Sequence, residues 1–133
     1  MASVFTKIMK GELPGFKIFE DELIFVFLNI RPVQLGHTLV IPKREVDHVL
    51  DVDRKEYLRV FEAAQSVGKA IHQATECKRV VYAVAGFEVH HFHLHLIPAW
   101  DLTDCNFSKA REVSPDQLKA VQEKILRCLP KNI

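Results

Sequence analysis

Three histidines recur at every second position in one short stretch of the 133-residue chain. His91, His93 and His95 alternate there with apolar residues. Because successive side chains of a β-strand point to opposite faces, a strand here would place the three imidazoles on one face and the apolar side chains on the other. Near neutral pH, imidazole can act as a nucleophile, as a proton donor or acceptor, or as a metal ligand.

Three interpretations of this histidine face are open. It is a solvated strand surface, or it binds a metal ion through three imidazoles, or it performs acid–base and nucleophilic chemistry on an anion. The third is favoured, because a carbonyl that holds one ring nitrogen protonated leaves a nucleophilic lone pair on the other. Neighbouring imidazoles can then donate to the negative charge of the anion. The middle residue, His93, has such a neighbour on each side and is therefore predicted to be the nucleophile.

The same stretch resembles a known sequence pattern. HFHLHLI at residues 91–97 is similar, without a gap, to the His-x-His-x-His pattern of the histidine triad (HIT) family of nucleotide hydrolases and transferases. RPVQLGHTLVIPK at residues 31–43 is similar to that family's proline-to-glycine-histidine loop and the strand that follows. VFTKI at residues 4–8 and GELP at residues 11–14 resemble the family's opening helix. Together the matches cover most of residues 4–100.

The resemblance implies a role for particular residues. In the family the central triad histidine forms a covalent nucleotidyl intermediate, which assigns that role to His93. His91 and His95 would order the phosphate oxygens and the hydrogen-bond network, with His37 beside them. Asn29 occupies the position that faces the ribose hydroxyls, where an amide can both donate and accept. The positions of the apolar walls around the base are Phe5, Ile8, Phe27 and Ile30.

The implied activity is that of a hydrolase or nucleotidyltransferase. It would release a nucleoside monophosphate from a phosphoanhydride, a phosphoramidate or a related bond, with a purine nucleotide or a nucleoside–phosphate conjugate as substrate. No cofactor is expected. The alternatives are a nucleotide-binding module with little turnover and a metalloenzyme built on three histidines. The family is usually dimeric, and an apolar helix over residues 54–76 would offer a homodimer its two-fold interface.

The chain departs from the family pattern just before the triad. Many members have Gly-Gln-Ser or Gly-Gln-Thr there, whose side chains reach the phosphate or the leaving group, whereas this chain has Gly86-Phe87-Glu88. A phenyl ring cannot donate a hydrogen bond, and a carboxylate repels a phosphate unless it is protonated or paired. Glu88 is therefore expected near the phosphate, where it would slow attack on an anionic substrate.

A second departure concerns metal. The zinc-binding members use a Cys-x-x-Cys near the start, a histidine after the Ile-Pro-Lys strand and the first triad histidine. Ser3, Thr6 and Glu45 occupy the first three of these positions here, which leaves only His91. No zinc is therefore expected in the protein.

Composition limits the partners. The chain has 18 basic and 17 acidic residues, a net charge of +1 and no run of either sign, so neither nucleic acid nor a membrane surface is expected as a partner. No apolar stretch approaches the roughly 20 residues of a spanning helix, and no leader pattern is evident, so a cytoplasmic location is expected. The three cysteines are widely spaced, which favours reduced thiols.

Periodicity predicts the elements that position the histidines. Apolar runs with strand-like character indicate about five strands, in an antiparallel sheet within one domain over residues 1–133. Residues 54–76 have the period of one long amphipathic helix, for which Asp53 and Glu56 resemble a capping box. SPDQ at residues 114–117 predicts the start of a C-terminal helix. The predicted fold class is α+β, with a HIT-like arrangement.

Overall fold

The computed structural model describes residues 2–133. The elements are α1 (Val4–Met9), β1 (Lys17–Glu20), β2 (Ile24–Leu28), β3 (Thr38–Pro42), α2 (Arg54–Thr75), β4 (Arg79–Ala83), β5 (Leu94–Ala99) and α3 (Pro115–Cys128), with short 3-10 helices at Val49–Asp51, Leu102–Cys105 and Phe107–Lys109. The five strands form one antiparallel sheet in the order β1-β2-β3-β5-β4. A short turn connects β1 to β2, a longer loop over residues 29–37 connects β2 to β3, and the long helix α2 lies between β3 and β4. This is the predicted α+β architecture.

The sheet is buried on both faces along β2, which explains why that strand is apolar throughout. Ile24 and Val26 belong to a core cluster that includes buried residues of α2 and α3. Phe25 and Phe27 point to the opposite face and pack with Phe5 of α1 in a second cluster. Because side chains alternate along a strand, a run with no polar position is stable only where both faces are covered.

The triad strand begins later than its sequence predicts. β5 starts at Leu94, so only His95 of the three histidines lies within the regular ladder. The β3–β5 register pairs Val40 with Leu94, and its continuation would pair Phe92 with Pro42. Proline has no N–H to donate, which explains why regular pairing stops before that point.

The alternation of side chains nevertheless continues through the irregular residues. Phe92, Leu94 and Leu96 all lie in the core cluster beneath α2 and α3. The rings of His93 and His95 lie together on the opposite face, with centroids 4.8 Å apart. The predicted separation of histidines from apolar spacers is therefore confirmed, even where the strand is not regular.

The two long helices begin differently. At α3 the predicted capping box is confirmed, since Ser114 accepts a hydrogen bond from the Gln117 backbone and the Gln117 side chain accepts one from the Ser114 backbone. At α2 the predicted box is wrong, because the Asp53 side chain makes no capping bond. Glu56 is buried and instead accepts two hydrogen bonds from the Arg44 guanidinium, at 3.1 and 2.7 Å. A charge-assisted pair with arginine is stronger than a bond to one backbone N–H.

The long helix ends at Thr75, one residue before its predicted end, where Glu76 adopts a left-handed conformation. Cys77 is buried just beyond this point, and Cys105 and Cys128 are half-buried. All three are free thiols, as expected. None of the helices within residues 2–133 combines the length and the apolar content that crossing a bilayer requires.

Candidate active site

A cleft of about 590 Å³ opens on the sheet face that carries the histidines. Its floor is formed by β3 and the triad segment, and α1 and the polar segment after β5 supply walls. The lining side chains that could meet a ligand are Phe5, Asn29, His37, Glu88, His93, His95, Phe107 and Ser108.

His93 presents a free lone pair. Its Nδ1 lies 2.7 Å from the backbone oxygen of His91. A carbonyl oxygen can only accept, so Nδ1 carries the proton and donates it to this bond. Nε2 is therefore unprotonated in the neutral ring. The edge-to-face contact of Phe5, with ring centroids 4.8 Å apart, further fixes the orientation of the imidazole.

His95 presents the opposite group, an N–H. The Val33 backbone N–H donates to His37 Nδ1 at 3.1 Å, which puts the His37 proton on Nε2. That Nε2 lies 2.8 Å from His95 Nδ1 and donates to it. His95 Nδ1 is thus an acceptor, and its neutral ring must carry its proton on Nε2. The cleft therefore contains a lone-pair nitrogen on one imidazole beside an N–H on the next.

The backbone before β3 positions His37 to donate its hydrogen bond to His95. The Asn29 N–H donates to the His37 carbonyl at 2.9 Å, which extends the β2–β3 pairing by one residue. Gly36 has a φ of +103°, which few other residues adopt readily, and a Cβ there would lie 3.1 Å from Thr75 Cγ2. The turn is closed by Thr38 Oγ1, which donates to the Gly36 carbonyl at 2.8 Å. His37 is thereby held rigidly behind His95.

The side chain of His91 does not reach the cleft. It is fully buried, its Nε2 donates to the Pro42 carbonyl at 2.9 Å, and its Nδ1 lies 2.7 Å from Ser3 Oγ. Both ring nitrogens are thus engaged within the protein. His91 was predicted to order both the phosphate oxygens and the hydrogen-bond network. Its side chain takes part in the network only, and the residue reaches the site through its backbone carbonyl and His93.

Burial keeps all four imidazoles neutral. Desolvation, followed by the proximity of His95, lowers the pKa of His37 from 6.5 to about 3. Desolvation, followed by the proximity of His93, lowers the pKa of His95 from 6.5 to about 4. Burial also lowers the pKa of His91 and that of His93. The tautomers deduced above are therefore those present at neutral pH.

The lowered pKa values predict that the protein loses stability in mild acid. Between about pH 4 and pH 6.5 the unfolded chain binds protons at His37 and His95 while the folded chain does not. The free energy of unfolding should thus fall as pH falls, by about 1.4 kcal/mol per pH unit for each such histidine at most. Urea titrations at pH 7, 6 and 5 measure this slope. A double variant of exposed histidines, His48→Ala and His72→Ala, should retain it, and a flat profile would contradict the neutral assignment.

The chain matches a protein-family model over most of its length. The model, described as the HIT domain, covers residues 10–101, which include His37 and the triad. The chain belongs to the HIT family. The family predicted from the sequence is thereby confirmed, and the HIT fold agrees with the five-stranded antiparallel sheet.

This HIT protein is similar to several known proteins. It is 34% identical over 118 residues to an uncharacterized HIT-like protein of Borreliella burgdorferi, in an alignment that covers 84% of this chain and 85% of the relative. It is 35% identical over 101 residues to an adenosine 5'-monophosphoramidase of Saccharomyces cerevisiae, over 75% of this chain and 64% of that relative. The crystal structure of a Zn-bound histidine triad family protein from Mycobacterium smegmatis has a TM-score of 0.81 at 27% identity, over 96% of this chain and 93% of that chain.

The residues at the positions of the zinc ligands of other HIT proteins do not form a zinc site here. Ser3 Oγ lies 2.7 Å from His91 Nδ1, and Thr6 Oγ1 lies 2.6 Å from Glu45 Oε1. Two ligands of tetrahedral zinc lie about 3.3 Å apart, since each is about 2.0 to 2.2 Å from the ion. These atoms therefore hydrogen-bond to each other directly. In the part of the chain that the structure describes, no three His, Cys, Asp or Glu side chains are arranged to hold a metal ion.

The other residues predicted for this HIT site are only partly brought together. Phe5, Asn29 and Glu88 line the cleft. Phe27 is buried behind Phe5, with ring centroids 5.4 Å apart, and is not among the lining residues. The other two predicted wall residues also lie outside the lining: Ile8 packs against the second core cluster and Ile30 is 46% exposed.

Sequence reasoning missed one wall of the cleft, which is formed by the segment after β5. The Phe107 ring packs edge-to-face on His95, with centroids 4.8 Å apart, and Ser108 lies beside it in the lining. Gln34 Nε2 donates to Asp104 Oδ1 at 2.6 Å and so ties the segment to the loop before β3. The phenyl ring excludes water from one side of His95 and thus contributes to the burial that keeps it neutral.

Proposed function

We propose that this HIT protein is a nucleotide hydrolase or nucleotidyltransferase that works through a covalent nucleotidyl intermediate on His93. The substrate is a nucleoside monophosphate linked through a phosphoanhydride or phosphoramidate bond. The observation that carries the proposal is the pairing of opposite tautomers in one cleft: a lone pair on His93 Nε2 beside an N–H on His95 Nε2. Nucleophilic displacement at phosphorus needs both groups.

The first step is attack by His93. The Nε2 lone pair forms a bond to the α-phosphorus, and the bond to the leaving group breaks with its electron pair going to that group. The new N–P bond makes the ring cationic, and the Nδ1–H bond to the His91 carbonyl stabilises this charge. The His95 N–H donates to the leaving atom or to a phosphoryl oxygen, where negative charge develops.

The second step returns the enzyme to its starting state. Water or another acceptor attacks the phosphorus, the N–P bond breaks, and His93 recovers its lone pair. An amine leaving group takes the proton of His95 Nε2 as the P–N bond breaks in the first step. When water is the acceptor, one of its protons remains on the released monophosphate, and the other returns to His95 Nε2, or passes to solvent when the leaving group departed as an anion. No step in this sequence requires a cofactor.

Two lining residues support the proposed binding of a nucleoside. Asn29 uses Oδ1 to accept from the Arg31 backbone at 2.9 Å, and its side-chain N–H groups remain as donors to ribose hydroxyls. Phe5 offers an apolar surface next to His93 for a base or sugar. Similarity to the yeast adenosine 5'-monophosphoramidase supports an adenosine phosphoramidate as one substrate.

A second candidate function is nucleotide binding with little turnover. It is favoured by the segment before the triad, where Phe87 is 89% exposed and Glu88 lines the cleft in place of neutral donors. A panel of adenosine 5'-phosphoromorpholidate, a diadenosine polyphosphate and adenylyl sulfate distinguishes the two functions. Turnover of any member supports the enzyme, whereas AMP binding without turnover of any member supports the binding module.

Glu88 is predicted to slow the reaction. Its carboxylate lines the cleft, where it repels an anionic substrate. Glu88→Gln should therefore raise kcat/KM severalfold, because the amide retains the shape and removes the charge. The matched control is Glu22→Gln, which changes the same group on the exposed β1–β2 turn and should leave kcat/KM unchanged. An unaltered rate in Glu88→Gln would mean that its carboxylate does not face the phosphate.

We also propose that the protein is a homodimer, although through a smaller part of α2 than the sequence suggested. The inner face of the helix is used within the chain, and its apolar flank remains half-exposed beside the edge strand β4. The rings of Tyr57, Phe61 and Tyr82 pack against one another there at tilted angles, with successive ring centroids 5.0 and 6.2 Å apart. An unpaired edge next to an aromatic patch is suited to a two-fold interface.

The dimer proposal predicts a molar mass twice that of the 15.3 kDa chain in light scattering after gel filtration. Tyr82→Arg should shift the protein towards the monomer, because it places a charge in the middle of the aromatic patch. Leu50→Arg is the control, since Leu50 is 92% exposed in the short 3-10 helix Val49–Asp51 and is not part of the aromatic patch, so this change should not affect the mass. A monomeric unmodified protein would refute the proposal.

A further inference from the structure

The start of α1 is joined to the triad by a continuous set of hydrogen bonds. Thr6 Oγ1 donates to Glu45 Oε1 at 2.6 Å, and the Ser3 backbone N–H donates to the same oxygen. Ser3 Oγ accepts from the Thr6 backbone N–H at 3.1 Å and lies 2.7 Å from His91 Nδ1. These bonds connect three separate parts of the chain: the helix N-terminus, the loop after β3 and the triad segment.

The direction of each bond follows from the chemistry of its partners. His91 Nε2 must donate, because its partner is the Pro42 carbonyl, so the neutral ring has an acceptor at Nδ1. The Ser3 hydroxyl is the donor that meets this acceptor. Its other acceptor is Thr6 Oγ1 at 3.3 Å, a longer contact, and the Thr6 hydroxyl already donates to Glu45. The set is therefore fully satisfied when His91 is neutral.

We propose that Ser3, Thr6 and Glu45 form a metal-free polar tether that fixes His91 and, through the His91 carbonyl, orients the reactive ring of His93. This inference rests on the proposed function, in which His93 attacks phosphorus. The tether residues are positioning residues, because none of them lines the cleft that contains His93 and His95. They occupy the positions at which the zinc-binding HIT proteins have metal ligands, and direct hydrogen bonds connect the same parts of the chain here.

The consequence for His93 is geometric. Its Nδ1–H bond to the His91 carbonyl is 2.7 Å long and sets both the tautomer and the direction of the Nε2 lone pair. If the His91 ring loses its Ser3 partner, its carbonyl can rotate and carry the His93 ring with it. Phe5 lies between Ser3 and Thr6 in α1 and contacts the His93 ring, so a loosened helix start would also affect that contact.

The tether can be tested by NMR without any substrate. Long-range 1H–15N spectra of the imidazoles at pH 7 should show His91 protonated on Nε2, with Nδ1 as a hydrogen-bond acceptor. Ser3→Ala should shift the His91 Nδ1 resonance. Ser114→Ala is the matched control, because Ser114 also caps a helix by accepting from the third residue but lies on α3, away from the triad. A His91 resonance unchanged by Ser3→Ala would overturn the tether.

Kinetics then separate positioning from stability. Ser3→Ala should lower kcat roughly 10- to 100-fold with little change in KM, since a small displacement of the attacking group is costly. Ser3→Thr should recover most of kcat, because it retains the hydroxyl. Ser114→Ala removes a similar cap and should leave kcat unchanged. An equal loss in both alanine variants, or no rescue by threonine, would mean that Ser3 only stabilises its helix.

Metal analysis completes the test. The purified protein should contain no stoichiometric zinc, and EDTA should not change its unfolding temperature. The triple variant Ser3→Cys, Thr6→Cys, Glu45→His, which with His91 supplies two sulfurs and two imidazoles, should bind one zinc per chain. Stoichiometric zinc in the unmodified protein would overturn the tether. If no substrate is turned over although the NMR and metal results are as expected, the proposed function fails and the tether remains.

Discussion

His93→Ala should reduce turnover of any accepted nucleotide substrate by roughly 10⁴-fold or more, the size of effect seen when a covalent nucleophile is deleted. His93 is the one triad residue with a lone pair directed into the cleft, since its Nδ1 is held by the His91 carbonyl. Binding of a nucleoside monophosphate should survive, because Asn29 and Phe5 are untouched. Steady-state kinetics and calorimetric AMP titration measure the two effects separately.

Direct detection of the covalent intermediate is a second test of the role of His93. Rapid mixing with a radiolabelled substrate, followed by quenching without acid and peptide mapping, should find the label on His93 through an acid-labile bond. His72→Ala, which removes an exposed histidine of α2, should keep both the label and the rate. Normal turnover in His93→Ala, or a label on another residue, would reassign the triad to binding.

The second large effect is expected for His95→Ala. This change removes the N–H that faces developing negative charge and should cost about 10²- to 10³-fold in kcat, as the loss of one such donor does elsewhere. AMP affinity should also fall, because a phosphate contact is lost. His37 would then be left with an unsatisfied Nε2–H behind the site, which adds a stability cost. Parallel measurements of kcat, AMP affinity and urea unfolding distinguish these contributions.

The choice of leaving group tests the role of His95 independently of folding. If its N–H assists departure, His95→Ala should harm substrates with a poor leaving group far more than an AMP ester of nitrophenol. His95→Gln, which restores a neutral N–H donor, should recover part of the rate. An equal loss across the series would place the N–H on a non-bridging phosphoryl oxygen instead.

The face carrying the histidines could be predicted from sequence because it depends on a local rule. Side chains alternate along an extended backbone whether or not the ladder is regular, so His93 and His95 share a face although the strand begins only at Leu94. The start of the strand depends on its partner, since Pro42 ends the pairing. That dependence is invisible in the triad sequence itself.

The opposite tautomers could not be predicted, because they depend on contacts between distant residues. The proton on His95 is set by His37, 58 positions earlier, and the proton on His37 is set by the Val33 N–H. Periodicity carries no information about such pairs. The capping box predicted from Asp53 and Glu56 is wrong for a related reason. The Glu56 carboxylate accepts hydrogen bonds from Arg44, and only the folded chain brings these two side chains together.

The wall formed by Phe107 is an intermediate case. Its local turn is consistent with the sequence, because Asn106 accepts a hydrogen bond from the Ser108 backbone N–H at 2.9 Å, and Asn side chains commonly bond the backbone two residues later in turns. Nothing local indicates that the turn lies over His95. The ion pair and hydrogen bonds that anchor the segment join it to residues 31–34, far away in sequence.

The division of residues 91–97 between two faces of the sheet has a consequence for mutational scanning. Such a scan for activity would find the whole segment intolerant, since Phe92, Leu94 and Leu96 are core residues and their neighbours carry the chemistry. A parallel scan for cellular abundance would divide the segment by alternate positions. Polar substitutions at the three apolar positions should deplete the protein, because they open the core. Substitutions at His93 should instead leave the protein abundant but inactive. The two measurements together would therefore show, without a structure, which side chains lie on each face of the segment.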